Sequence, residues 1–412
     1  MTFTALDERA PQDRCPGVLA LHEGADGWLA RVRVPGGRLS ATQLRALAAA
    51  AEELGSGLID LTARANLQLR GLDEASGPAL ANRLRSAGLL PSQAHDRARN
   101  VLAGPLAGRS PDALDDIDET VALLDARVCA TPALGELPGR FCFLVDDGTG
   151  AGSEARPDVT VAARGAGHFS VLLDGQPIAF EGDAEAAVAL AVQAAEAFLE
   201  LRGGGSKWRL SETSGGPAAV ADHLGLRLAD ADTKPPDVPA LVPGVELQRD
   251  GRAAVTALAP LAQLWPALLR ELAGVCDGAG TDVRLSAHRT VTLVDVDADA
   301  SLATSVAMQR AGLEVDGASG WIGLTACAGG EGCRNALADV RTAAAQRALV
   351  RGPGAPTEHW AACGRRCGEG RATAVAVAVE GPGSVAVRRG TRTSTAPTLE
   401  AASASLLEGA AR

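Results

Sequence analysis

Aromatic side chains are scarce here: 6 Phe, 5 Trp and no Tyr among 412 residues. Ala and Val dominate instead, and the basic residues are nearly all Arg, a bias that belongs in part to the source rather than to function. No apolar run approaches the roughly 18 residues that a membrane-crossing helix needs. The opening MTFTALDERAPQDRCPG has neither an apolar core nor an Arg-rich amphipathic pattern. No signal or transit peptide is therefore expected, and the protein is expected to be soluble and cytoplasmic, with no membrane partner. A net charge of -11 argues against a nucleic-acid binder. It also means that a polyanionic ligand must be held by a local Arg cluster against the overall field. The glycine runs at 148–152 and 202–207 lack the strand-to-helix setting of a dinucleotide fingerprint, and neither is a P-loop. Any electrons are therefore expected to arrive from a separate donor protein. No 2-His-1-carboxylate spacing stands on a recognisable local motif.

Four of the 8 cysteines are grouped: Cys327 and Cys333 as C-x5-C, then Cys363 and Cys367 as C-x3-C. Four thiolates in two close pairs are what a tetrahedral soft-metal site or a cubane iron–sulfur cluster requires. Structural zinc favours shorter, more regular spacings. Zinc and plain buried cysteines remain as competing readings. Glycines beside these cysteines (Gly329, Gly330, Gly332, Gly364, Gly368) would let the backbone fold around a ligand. The run 334–350 reads as a helix whose N-terminus would aim its partial positive charge at the thiolates. Cys15, Cys129, Cys142 and Cys276 have no spacing logic and read as small core residues.

Periodicity gives a β-α-β-β-α order at the start of the chain. Residues 28–34 alternate as a strand, and SATQ from Ser40 is a capping box for a helix that Gly55 ends. Residues 58–61 and 66–70 follow as strands, then a helix over 78–86. The same order returns later: a strand at 253–258, a helix over 261–272, strands at 282–285 and 290–294, and a helix over 301–311. IDLTARANLQL (59–69) aligns without a gap on VRLSAHRTVTL (283–293), which sets Arg64 opposite His288. DVTVAARGAGHFSVLLDG (158–175) also resembles TAVAVAVEGPGSVAVRRG (373–390), apart from a two-residue gap. The chain thus reads as a tandem duplication about a pseudo-twofold axis, joined by the Pro-rich stretch 230–244. The expected class is α+β, with ferredoxin-like half domains at 1–95 and 236–305 and α/β domains at 96–235 and 306–412.

This layout, with C-x5-C and C-x3-C in its last part, resembles the sulfite and nitrite reductase superfamily over nearly the whole chain. The resemblance implies that Cys327, Cys333, Cys363 and Cys367 bind a [4Fe-4S] cluster, with Cys367 facing a tetrapyrrole. Three further stretches match. LTARANLQLR is similar to the family hairpin that carries an active-site arginine, here Arg64, with Gln68 at the later glutamine. DRARNVLAG resembles the family's R-N-V segment and brings Arg99 and Asn100 toward the site. LPGRFCF resembles a segment with two anion-binding lysines, replaced here by Arg140 and Cys142. Losing the second cation, together with the Cys-Pro-Gly near the N-terminus and the compact length, makes the chain look more like the precorrin-3B synthase branch. That branch implies that the tetrapyrrole, precorrin-3A, is substrate alongside O2, with reduced nicotinamide as the ultimate electron source. Whether the cluster activates oxygen or feeds a separate mononuclear iron stays open. The competing readings are a sirohaem-dependent sulfite or nitrite reductase and a cluster protein that only carries electrons.

A precorrin carries many carboxylates, for each of which a bidentate Arg is the best partner. Arg64, Arg99 and Arg140 lie in hairpin or loop contexts suited to that role, while Arg97, Arg289, Arg365 and Arg366 are weaker candidates. Any single Arg also has the bland reading of a solvated side chain. His288, at its hairpin, could donate a proton or bind iron, or be a satisfied structural histidine. His359, four residues before Cys363, could stand beside the thiolates or lie on the surface.

Overall fold

Ser40 starts the first helix as its sequence directs. Its hydroxyl accepts from the Gln43 amide, and the Gln43 side chain accepts from the Ser40 amide, so two otherwise orphaned donors are satisfied. The structure, a computed structural model, describes residues 13, 15–203, 206–229, 241–370 and 372–408. Residues 230–240 of the expected joint lie outside the described residues, as does most of the N-terminal stretch.

The first half runs β1 (His22–Glu23), β2 (Trp28–Val32), β3 (Arg38–Leu39), α1 (Ala41–Leu54), β4 (Ile59–Leu61), β5 (Leu67–Leu72) and α2 (Gly77–Ser86). It continues with β6 (Val101–Ala103), α3 (Asp118–Ala130), β7 (Phe143–Asp146), β8 (Val159–Gly165), β9 (His168–Leu173), β10 (Gln176–Gly182), α4 (Ala184–Leu201) and α5 (Gly216–His223). The second half begins with β11 (Gly244–Leu247), β12 (Ala253–Leu258), β13 (Gln263–Leu264), α6 (Pro266–Ala279), β14 (Val283–Leu285), β15 (Thr290–Val296) and α7 (Ser301–Arg310). It ends with β16 (Leu324–Ala326), α8 (Val340–Ala348), β17 (Glu358–Ala361), β18 (Val375–Gly381), β19 (Ser384–Arg389), β20 (Arg392–Ala396) and α9 (Leu399–Glu408).

Among the described residues four five-stranded sheets result, and they match in pairs. The orders β10-β9-β8-β7-β6 and β16-β17-β18-β19-β20 each hold three parallel strands followed by two antiparallel ones. The ferredoxin-like sheets are β1-β2-β5-β4-β13 and β11-β12-β15-β14-β3. Each is completed by a two-residue strand from the other half. Gln263 pairs with Asp60, and Arg38 pairs with Arg284. The duplicated α+β organisation expected from the sequence is present.

This exchange corrects the helix expected over 261–272. Residues 260–262 form a tight turn with Leu261 at φ 51 and Ala262 at φ 63, β13 then crosses to the neighbouring sheet, and the helix starts only at Pro266. The first half makes the same turn with Gly36 and Gly37, at φ 61 and 67. A β-carbon on Gly37 would stand 2.2 Å from the Leu285 carbonyl oxygen, so glycine is required for that approach.

The two ferredoxin-like pieces share one hydrophobic core, in which α1 packs on α6, while each α/β piece has its own core. Alternation decides what the first ferredoxin-like sheet presents. Ala30 and Val32 of β2, Ile59 and Leu61 of β4, and Leu67 and Leu69 of β5 face that shared core. Arg31, Arg33, Asp60, Gln68 and Arg70 therefore line the opposite face. At the corresponding positions the second sheet presents Thr256, Leu258, Arg284, Thr292 and Val294.

Two ion pairs tie these faces to the α/β pieces with reversed polarity. Asp60 of β4 meets Arg341 near the start of α8 at 2.8 Å, while Arg284 of β14 meets Asp118 at the start of α3 at 2.6 Å.

Candidate functional site

β16 and β17 run side by side in parallel. Cys327 follows the last residue of β16, and Cys363 lies just beyond the end of β17. Both cysteine pairs therefore leave the carboxyl ends of adjacent parallel strands, where open α/β sheets place their ligands. The Cys327 amide donates to the Trp360 carbonyl at 2.9 Å, and the Cys327 sulfur accepts from the Ala362 amide at 3.2 Å. Gly329, at φ 52, turns the first loop against Val340, where a β-carbon would stand 2.9 Å from a methyl group. Burial raises the Cys367 thiol above its ordinary range, and Cys363, Cys327 and Cys333 add to the rise, so the four thiols share one neighbourhood. All eight cysteines are free of disulfides. Among the described residues no three His, Cys, Asp or Glu side chains converge closely enough to hold a single metal ion. A cubane asks for a wider ring, because its thiolates bind separate irons, and a four-thiol set on two facing loops fits that group in donor chemistry.

The helix expected directly after Cys333 starts later, at Val340. The Asp339 carboxylate caps it by accepting from the Arg341 and Thr342 amides. Its first amides are therefore occupied by Asp339 rather than aimed at the thiolates.

The polar face of the first ferredoxin-like sheet is held against this loop. Arg70 donates to the Gly332 carbonyl at 2.6 Å, and Arg341 donates to the Cys327 carbonyl at 3.2 Å as well as to Asp60. On the same face three guanidinium groups gather. Arg31 donates to the Cys15 sulfur at 2.9 Å and to Gln68 at 3.0 Å. Arg33 reaches the same sulfur at 3.5 Å and the Gly139 carbonyl at 3.3 Å, and Arg64 also donates to the Gly139 carbonyl at 3.3 Å. A β-carbon on Gly139 would collide with Cys15 at 2.7 Å. Arg33 is only 2% exposed. Its burial, with Arg31 and Arg64 close by, lowers its pKa below the ordinary guanidinium value. Among the described residues none of the three has a carboxylate ion-pair partner, and Nε of both Arg31 and Arg33 lacks any acceptor. Three convergent cations with no carboxylate partner among the described residues form a place for a polyanion.

Some residues expected from the sequence come to this place and others do not. Arg64 and Gln68 are part of it. Arg140, next to Gly139, is exposed and stacks its guanidinium over Trp208 at 5.0 Å. Arg99 points elsewhere: it is buried, forks onto Asp125 at 2.7 and 2.8 Å, and donates to the Leu89 carbonyl. Asn100 is fully buried, accepting from Asn66 and donating to the Phe141 carbonyl. Both are structural side chains. Arg97 donates to the Asp13 carbonyl, and Arg366 lies within 4 Å of Glu369 and Glu380.

His359 is buried beside the cysteines. It bonds Thr325 through Nδ1, and Nε2 has no partner among the described residues. Its pKa is pushed down to about 4, by burial above all, with the Arg289 and Arg366 charges adding to the fall. His288, by contrast, pairs with Glu154 at 3.0 Å. It borders a separate cavity of about 770 Å³, whose walls include none of Cys327, Cys333, Cys363 and Cys367 and none of Arg31, Arg33 and Arg64.

Cys15 is not the core residue expected, because it receives two guanidinium groups. Cys129 is half-buried, while Cys142 and Cys276 are buried as expected, the Cys276 thiol being pushed up to about 12 by burial first and by Asp282 and Asp277 after it. The sequence signal for the missed Arg31 and Arg33 was the alternation of WLARVRV itself, which sends both side chains to one face.

Comparison with known proteins agrees with this architecture. Residues 22–87 match the nitrite/sulfite reductase ferredoxin-like half domain. A precorrin-3B synthase from Sinorhizobium sp is 40% identical over 102 residues, which cover 25% of this chain and 21% of that protein. A ferredoxin–nitrite reductase from Leptolyngbya laminosa is 33% identical over 34% of this chain and 29% of its own length. These two matches thus span less than a third of each relative. The chloroplastic ferredoxin–nitrite reductase of Zea mays is 26% identical over 83% of this chain and 68% of its own length. The solved structure of the Mycobacterium tuberculosis NirA protein aligns with a TM-score of 0.69 at 19% identity, covering 90% of this chain and 76% of that one. Among the described residues no helix is long and apolar enough to cross a membrane. The chain has the fold of the nitrite and sulfite reductases and carries one of their ferredoxin-like half domains.

Proposed function

We propose that this chain is an oxidoreductase that binds a polycarboxylate tetrapyrrole as substrate beside a [4Fe-4S] cluster, and that it catalyses the precorrin-3B synthase reaction of cobalamin biosynthesis. In that reaction precorrin-3A is hydroxylated at C20 and the ring A acetate closes a γ-lactone. One atom of O2 enters the macrocycle and the other leaves as water. The balancing electrons come from reduced nicotinamide through a separate donor protein. Cys327, Cys333, Cys363 and Cys367 would hold the cluster, which supplies electrons one at a time when bound.

The observation that carries this reading is the set of three guanidinium groups, Arg31, Arg33 and Arg64, which have no carboxylate partner among the described residues, on the face held against the cysteine loop. Each suits one peripheral carboxylate of the macrocycle, fixing its edge and orientation. Arg140, exposed beside Gly139, suits a further carboxylate at the rim. Cys142 supports a macrocyclic rather than a small-anion substrate. It is 0% exposed, where the resembling reductases carry a second cation.

A second reading, a sirohaem-dependent nitrite or sulfite reductase, is favoured by the 83% of this chain that aligns with the Zea mays nitrite reductase. Purification without oxygen, followed by an absorption spectrum and quantification of iron, sulfide and tetrapyrrole, separates the two. The synthase reading expects a cluster spectrum without sirohaem bands, then conversion of precorrin-3A once a reductant and O2 are added. Stoichiometric sirohaem, with turnover of nitrite or sulfite, would overturn it.

A further inference from the structure

Asp60 stands on β4 with its side chain on the polar face, 12% exposed. One carboxylate oxygen accepts from Arg341 at 2.8 Å and the other from Arg70 at 3.4 Å. Both guanidinium groups continue to the loop between Cys327 and Cys333. Arg341 donates to the Cys327 carbonyl at its start, and Arg70 to the Gly332 carbonyl at its end. Arg70 is fixed further by Asp26, at 2.8 and 2.9 Å. One carboxylate thus ties together two cations that grip the two ends of the C-x5-C loop.

The duplicated half shows what an attachment alone requires. There Arg284 on the sheet meets Asp118 on the helix, and Arg109, in the loop after β6, completes the pair by donating to Asp118 at 3.1 Å and to Asp295 at 2.9 Å. The polarity is reversed, and that loop contains no cysteine. Either polarity therefore fastens a sheet to its α/β neighbour. Only the polarity on the cysteine side sets guanidinium groups against the carbonyls of the thiol-bearing loop.

We propose that Asp60, Arg70 and Arg341 form a clamp that positions the Cys327–Cys333 loop and sets the charge felt by the metal group it holds. The inference rests on the cluster reading above. These are positioning residues, since they touch neither thiol nor substrate. A cluster gains negative charge on reduction, and nearby cations favour the reduced form in a medium of low dielectric. Asp60 tempers those cations. Removing its charge leaves them uncompensated, and removing Arg341 takes one away.

The test is an EPR-monitored redox titration of the full-length, cluster-loaded protein and its variants, with iron and sulfide content measured for each. Asp60→Asn is expected to raise the midpoint potential and Arg341→Met to lower it, with unchanged cluster content. Asp118→Asn, the control on the other half, is expected to lower thermal stability and leave the potential where it was. Shifts of the same sign in both clamp variants, or no shift, would overturn the clamp. If Asp60→Asn does not fold, Arg341→Met decides alone, because methionine keeps most of the apolar stem of that half-buried side chain: a lowered potential supports the clamp, an unchanged one sinks it. A wild-type protein that assembles no cluster defeats the underlying reading instead, and is distinguished by its iron and sulfide content.

Discussion

Arg33 and Arg99 carry the same charge and are both buried, yet among the described residues only Arg99 is matched by a carboxylate. Arg99 forks onto Asp125, whereas Arg33 meets a sulfur and a carbonyl. Sequence shows residue type and local pattern but not the partner that another element brings, and Asp125 arrives on α3. For that reason the hairpin motif points to Arg64, which the fold brings to the guanidinium group, while Arg99 and Asn100 lie away from it on partners of their own, and Arg31 and Arg33 sit inside an ordinary strand. The distinction is measurable. Arg99→Ala removes one member of a buried pair and is expected to cost about 3–5 kcal/mol of stability. The affinity of the remaining folded protein for a tetrapyrrole should be unchanged in a fluorescence titration. Affinity lost at unchanged stability would return Arg99 to the binding site.

At the scale of elements, the capping box, the strands and the hairpins followed their local sequence closely, because caps and alternation act over a few residues. Two helices start later than local periodicity predicts, and tertiary demands are the reason. Residues 261–265 have helical periodicity, but completing the sheet of the other half takes Gln263 and Leu264 out of the helix. Residues 334–339 are drawn into the loop that follows Cys333, where the Leu337 amide donates to the Ala362 carbonyl. The exchanged strands hinge on the turns before them. In the first half that turn contains Gly37, with left-handed backbone and no room for a β-carbon. Gly37→Ala should therefore cost at least roughly 1–2 kcal/mol from the backbone alone, with the clash against the Leu285 carbonyl added. The corresponding turn already accommodates Ala262 at φ 63, so Ala262→Gly should change stability far less. Denaturant melts of the two variants check this, and equal losses would show that the close approach at Gly37 is not the governing contact.

At the scale of the molecule, duplication was legible because both halves keep their turns and alternations at matching intervals, but the interlocking of the halves was not. Each ferredoxin-like sheet borrows its last strand from the other, and α1 and α6 pack across the shared core. Those helices are equal in length, 14 residues each, and carry matching charges: Arg45 corresponds to Arg270, and Glu52 to Asp277. The contacts are reciprocal, Arg45 with Asp277 and Arg270 with Glu52. A fragment spanning residues 13–229 would lose β13, the core side chains of α6 and both ion-pair partners. A second copy of the same fragment supplies all three in kind. Its Arg38–Leu39 strand takes the place of β13, its α1 takes the place of α6, and Arg45 of each copy meets Glu52 of the other. The fragment is therefore expected to be a dimer whose dissociation is coupled to unfolding, with an apparent melting temperature that rises with protein concentration. Sedimentation velocity and concentration-dependent melts test this. A folded, stable monomer would show that the first half closes its own sheet and core, and that the exchange seen in the whole chain adds attachment without being required for folding.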